Sequence, residues 1–338
     1  MMKVLYSINH ENALLAGVSI FSLLQNNTGK DIVFYILVDR VKDSELNKIK
    51  EVIEAEGAHI NIINVAEIDK NVSPTKQKDA SFFYNFGCLF ASSLLHEENK
   101  ILYLDANTII DGSLLPLWEI QLGNHMIAGV ADYLNHRYLE NIGLRKNELY
   151  FDSAVLLLNL RMMRETRIEE QFSDYLHANS FLAFQEEDVL NSVVTNEQKL
   201  TVPAKFNVTV PIFLLKRKQL IRFQKLEKYQ VNGYDFNIAK LHPVVVNYRE
   251  NIFTFKDPWA DNSKHPVAKW FNKYKNVSPW KDVSIPKTIR KLPAQLDNLI
   301  YMALPKFISL TILGDKYGRR RPLSNRKKIL KSRDIKRV

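Results

Sequence analysis

Short apolar runs alternate with stretches of helical periodicity through the first half of the chain. Residues 4–7 and 32–38 are apolar and bounded by polar residues, the pattern of strands buried on both faces. Between them Leu14, Leu15, Val18, Phe21 and Leu24 recur at helical spacing, which predicts a helix over 11–25 packed on the sheet. Asp43 or Ser44 can cap a second helix ending at Gly57, followed by a strand at 59–65. A helix over 82–95 leads into a strand at 101–105. Alternation of this kind predicts an α/β chain with a parallel sheet covered on both faces.

The second half is more mixed. Residues 126–131, 155–159 and 244–248 read as strands, 162–179 as one helix and 187–194 as a short helix. Beyond Trp259, Pro, Lys and aromatic residues become denser and strand signals fade. Leu296, Leu299, Ile300, Phe307, Ile308 and Ile312 predict helical segments interrupted at Pro305. There is no internal repeat.

Composition adds boundaries. Of 338 residues 46% are hydrophobic and 25% charged, which excludes disordered, collagen-like and disulfide-scaffold classes. One cysteine, Cys88, cannot form an internal disulfide; its apolar neighbours predict a buried thiol in a reducing compartment. The segment MMKVLYSINH lacks the apolar core and cleavage site of an export signal, and no run of 18 apolar residues occurs, so a soluble or peripheral protein is expected.

The net charge of +10 changes the picture once it is located. Residues 316–338 hold eleven Lys/Arg and one acid, Asp334, while the other 315 residues hold 36 basic and 36 acidic side chains. A neutral body with a cationic tail does not bind nucleic acid over its surface. Beside the apolar helical segment, the tail reads instead as a contact for an anionic membrane surface.

Ligands of open α/β sheets bind beyond the carboxyl ends of strands. Two such ends are polar here: Ser7-Ile8-Asn9-His10, and Asp105-Ala106-Asn107. A carboxylate and a second oxygen two residues apart can hold a hard cation against a diphosphate, although both residues also favour plain turns. No Gly-rich phosphate loop follows either strand, which excludes dinucleotide and P-loop chemistry of the usual kind.

Several ordered blocks carry a resemblance. The segment KILYLDANTIIDGSLLPLW resembles the YLDxDxxxxGxLxxLW block of glycosyltransferase family 8. VLYSINHENALLAGVSIFSLLQNN, YFDSAVLLLNLRMMRE, FQEEDVLN and FKDPW are similar to further blocks in the family's order. HPVAKWFNKYKNVSPWKDV resembles the C-terminal extension of the bacterial lipopolysaccharide-core members. The resemblance covers roughly residues 3–285.

It implies a GT-A fold, Rossmann-like, that moves a sugar from a UDP-sugar with retention of configuration, usually with Mn2+ or Mg2+. By position it implies Asp105, Asn107 and Asn247 at the metal and Ser7, Asn9, Asp105, Asp132, Ser153 and Lys256 around the nucleotide-sugar. Glu187, Asp188 and Asp152 would then serve catalysis. It further implies a catalytic unit over 1–258, an extension over 259–315 and a basic tail over 316–338. The expected reaction moves glucose or galactose to a lipopolysaccharide or lipooligosaccharide core sugar, on a glycolipid or oligosaccharide acceptor. The expected location is peripheral, on the cytoplasmic face of a bacterial inner membrane.

The departures fall in the site. Asn107 stands for the second metal aspartate, Asn247 for the metal histidine, Asn9 for an aspartate, Asp152 for the sugar-binding asparagine and Phe86 for an arginine. One carboxylate with two amides binds a hard dication more weakly than two carboxylates and a histidine. The alternative is therefore a family member that binds a nucleotide-sugar, glycan or partner without turnover. Glu187 replaces a frequent glutamine, and a carboxylate there suits a nucleophile or a stabiliser of an oxocarbenium ion; its bland reading is a solvated acid at a helix start. His10 reads as a solvated loop residue, His242 as a poor substitute ligand, and the tryptophans as packing, with Trp259 the best exception.

Overall fold

The structure is a computed structural model that describes residues 1–67, 84–249, 253, 257–285 and 292–335, with side chains only as far as 331 in the last segment. Ten strands are described: β1 (Met2–Asn9), β2 (Ile32–Asp39), β3 (His59–Asn64), β4 (Ile101–Leu104), β5 (Thr108–Ile110), β6 (Ile127–Ala131), β7 (Phe151–Leu158), β8 (Lys199–Thr201), β9 (Val208–Thr209) and β10 (Val245–Asn247). Seven form the main sheet in the order β3-β2-β1-β4-β7-β6-β8, and β5-β10-β9 form a small second sheet.

From β3 to β4 the neighbours are parallel, with Val4 opposite both Phe34 and Leu102. The parallel order expected of the alternating first half thus holds, and beyond it β7 runs antiparallel to both β4 and β6. Its eight residues are all buried, and a continuous apolar run looks the same whichever way it points. The sheet core is covered by the helix Ala13–Asn26 on β1, whose Val18, Ile20 and Leu23 are buried. Cys88 is buried as expected.

Two local readings are corrected. The helix Asp43–Ala55 has Lys42 at its N-cap position without a side-chain cap; Asp43 and Glu45 instead lie in its first turn, where negative charge suits the helix dipole. The single helix expected over 162–179 is two, Leu160–Glu165 and Ile168–Ala178, divided at Arg167 in a left-handed conformation (φ 50°). Of the helix expected over 82–95, residues 82 and 83 lie outside the described residues, and the described part includes the short helix Ala91–Leu94.

The C-terminal part packs on the body. Trp280 is fully buried against the first helix, where a Cβ on Gly17 would come within 2.3 Å of its ring, and its indole N–H donates to Glu45 at 3.3 Å. Helices Leu292–Ala303 and Lys306–Asp315 break at Pro305, as the pattern predicts. The basic tail then continues through a wide turn, Lys316–Arg320, into the helix Arg321–Ile335. Asn141 donates to the Pro322 carbonyl at 2.7 Å, tying this helix to His136–Asn141.

Candidate active site

The site forms where β1, β4 and β7 meet their loops. At the end of β1 the Asn9 carboxamide oxygen accepts the backbone N–H groups of Glu11 (3.0 Å) and Asn12 (3.1 Å), so it shapes the turn into the first helix. Ser7 lies buried two residues earlier. At the end of β4 Asp105 accepts the Asn107 N–H at 2.9 Å, the local bond that favours Asp in such turns. The small sheet sets Asn247 opposite Thr108, next to this turn. Trp259 packs edge-on against Tyr248 beside Asn107, which is a packing role.

The acids of β7 and the helix Gln185–Val193 come together around one cation. Arg249 Nη1 lies 2.9 Å from Glu187, 3.0 Å from Asp152 and 3.5 Å from Asp132, with its guanidinium stacked 4.6 Å from the Phe184 ring centre. Asp152 also accepts the side-chain N–H groups of Asn207 (3.0 Å) and Asn247 (3.2 Å). Glu187 is buried rather than a solvated helix acid, and the Tyr150 hydroxyl donates to it at 3.3 Å. Asp188 accepts Tyr138 O–H at 2.6 Å, Tyr150 O–H at 3.0 Å and the N–H groups of Ala183 and Phe184 at 2.7 and 3.0 Å. That full set makes Asp188 the clamp of the loop before the helix. Ser153 donates to Glu186 at 2.9 Å.

Burial raises the carboxyl groups of Asp105, Asp132 and Glu187 above their ordinary range, and the Arg249 charge pulls all three back. Glu186 is pushed up to about 7, chiefly by desolvation. Burial alone would lower the Arg249 guanidinium, but Glu187, Asp152 and Asp132 drive it up well above its ordinary value, so it stays charged.

Among the described residues no group of three His, Cys, Asp or Glu side chains could hold an ion, and the metal set implied by the resemblance consists of one carboxylate and two amides. Asn247 already spends its amide: the oxygen accepts the Arg249 N–H at 2.7 Å and the nitrogen donates to Asp152 and Asn207. Asp105 and Asn107 then leave one carboxylate and one amide, a poor set for a hard dication. Lys256 lies outside the described residues. His10 and His242 are exposed.

Of the expected residues, Asp132, Asp152, Ser153, Glu187 and Asp188 thus form one cluster, and Asn247 reaches it through Asp152. Arg249, Glu186 and Asn207 belong to the cluster but were not expected there. A cation following a buried strand directly, in VVVNYR, was the available signal for Arg249. The cluster opens into a cavity of about 420 Å³ that runs from Asp132 and Arg249 to Tyr317, Arg321 and Asn325.

This arrangement has counterparts. The profile of "Glycosyl transferase family 8" matches residues 3–242. A lipopolysaccharide 1,2-glucosyltransferase of Escherichia coli is 24% identical over 86% of this chain and 82% of its own. A lipopolysaccharide 1,3-galactosyltransferase of Salmonella typhimurium is 23% identical over 82% of this chain and 79% of its own. The crystal structure of the galactosyltransferase LgtC with donor and acceptor sugar analogues superposes over 85% of this chain and 98% of its own, with a TM-score of 0.64 and 18% identity. The chain therefore has the fold of those transferases, and it belongs to glycosyl transferase family 8 as a glycosyltransferase.

Proposed function

We propose that the chain moves a hexose, glucose or galactose, from a UDP-sugar to a lipopolysaccharide or lipooligosaccharide core sugar with retention of configuration. The observation that carries this reading is the buried acid cluster around Arg249, opening into a cavity large enough for a sugar. Asp132 and Asp152 are the acceptors for hydroxyls of the donor sugar. Glu187, held by Arg249, faces the positive charge that develops at the anomeric carbon as its bond to the diphosphate breaks and the electron pair leaves with UDP. Asp188 keeps the loop at 183–184 in place, and Ser7, Asn9, Asp105 and Lys256 are assigned to the nucleotide and diphosphate.

Residues 1–258 are proposed as the catalytic unit, 259–315 as its extension and 316–338 as the basic tail. The extension supports a peripheral position on the cytoplasmic face of the inner membrane: Leu296 (59%), Leu299 (61%) and Phe307 (62%) are exposed, next to the cationic helix. Among the described residues no helix is long and apolar enough to cross a membrane. Incubation with UDP-glucose or UDP-galactose and a truncated lipooligosaccharide, followed by mass spectrometry, tests the reading. A gain of one hexose with release of UDP is expected. Absence of both transfer and donor hydrolysis with either sugar refutes it.

A further inference from the structure

The basic helix is not merely appended to the catalytic unit. At Gly314 a Cβ would lie 2.8 Å from the Phe223 carbonyl, and at Gly318 one would press the Lys225 side chain at 3.4 Å. At Gly314 the chain therefore approaches the helix Arg217–Gln224 backbone to backbone, a seat that larger residues would lift. Asn135 fixes the other side of that seat by donating to the Gln224 and Lys225 carbonyls at 3.2 and 3.1 Å. From this seat the helix runs along the mouth of the site with Pro322, Asn325 and Ile329 buried.

Arg321, Asn325 and Lys328 follow at i, i+4 and i+7 and so share one side of the helix. Arg321 and Asn325 line the cavity, and the Lys328 ammonium lies 5.1 Å from the Phe181 ring centre, on the loop that leads to Phe184. Neither cation has an ion-pair partner among the described residues. Asp132 and Arg249 stand at the cavity's inner end, Arg321 and Asn325 at its outer end, and the rings of Tyr138, Phe184, Phe223 and Tyr317 wall it between. Aromatic walls suit sugar faces, and the Asp132 carboxylate suits a hydroxyl.

We propose that this cavity binds the acceptor and that Arg321, Asn325 and Lys328 read an anionic group on it, a phosphate or a carboxylate, at the side away from the reacting hydroxyl. The inference rests on the transferase reading above and adds the charge class of the acceptor. Bonds to a charged group of the acceptor should raise affinity about tenfold.

Binding of glucose, glucose 6-phosphate and glucuronate to the full chain is compared by isothermal titration, together with the double variant Arg321→Gln/Lys328→Gln. At least one anionic probe is expected to bind about tenfold more tightly than glucose, and the double variant is expected to abolish that preference. Which probe wins separates phosphate from carboxylate. UDP-sugar hydrolysis by the unsubstituted chain is followed on the same preparations as a separate readout of the transferase reading. Equal binding of all three probes, or a preference that survives the double substitution, overturns the inference. So does a double variant that loses only its affinity for phosphatidylglycerol vesicles, since the charge would then serve lipid headgroups. Loss of donor hydrolysis in the unsubstituted chain would instead count against the transferase reading.

Discussion

At the scale of single residues, the site is a problem in charge. Asp132, Asp152 and Glu187 share the Arg249 guanidinium, and removing one partner of a buried ion cluster costs about 3–5 kcal/mol because the rest stay uncompensated. Arg249→Gln is therefore expected to lower unfolding free energy by that order in urea titrations, and adding Glu187→Gln should restore part of it. A single variant as stable as the parent would show that the cluster sheds its charge by protonation instead. Glu186 sets a pH dependence. Folding raises it from 4.5 to about 7, so its contribution to stability is complete below its ordinary value and lost as pH climbs through 7. Glu186 accepts the Ser153 hydroxyl beside Glu187, and its ionised form adds negative charge near the developing cation, so kcat/KM should fall on the acid side of about 7. In Glu186→Gln that limb should disappear; a limb of unchanged position assigns it to another group. The polar strand ends at Asn9 and Asp105 were legible because strand-to-loop turns are local. Arg249 was not, because its partners come from positions 132, 152 and 187, and only the folded sheet brings them to it.

At the scale of elements, buried strands and periodic helices could be read directly, since each depends on its own apolar pattern. Direction and breaks could not. The antiparallel course of β7 depends on what precedes it in space, and the division at Arg167 on one left-handed residue that the hydrophobic spacing does not mark. The contact between Gly17 and Trp280 is likewise invisible in spacing, as it joins the first helix to residues more than 250 positions away. It yields a sharp expectation. Gly17→Ala forces a methyl into the indole, and overpacking of this kind costs about 1–3 kcal/mol. Its melting temperature should fall, and Trp280→Ala should fall further by leaving a cavity, about 3–5 kcal/mol. If Gly17→Ala melts with the parent, the C-terminal segment does not press on the first helix in solution.

At the scale of the whole molecule, the charge divides into two populations. Arg321 lines the cavity and Lys328 stands over Phe181, while Arg326 and Lys327 touch neither. The latter, with Leu323 and Leu330 exposed on the same helix and Leu296, Leu299 and Phe307 on the helices before it, compose a surface of apolar residues among cations. Such a surface gains from apolar burial at the headgroup boundary and about 1 kcal/mol per cation near anionic lipid. The two terms separate experimentally because only one is screened by salt. Flotation with phosphatidylglycerol vesicles should exceed flotation with phosphatidylcholine, and the excess should shrink as salt is raised. Leu299→Ser with Phe307→Ser should weaken binding to both lipids alike, whereas Arg326→Gln with Lys327→Gln should remove only the excess. Neither pair touches the cavity, so donor hydrolysis in detergent-free buffer should match the parent. Equal flotation of the parent chain with both lipids would reduce the outward cations to solubilising charge and leave the apolar helices without an electrostatic partner.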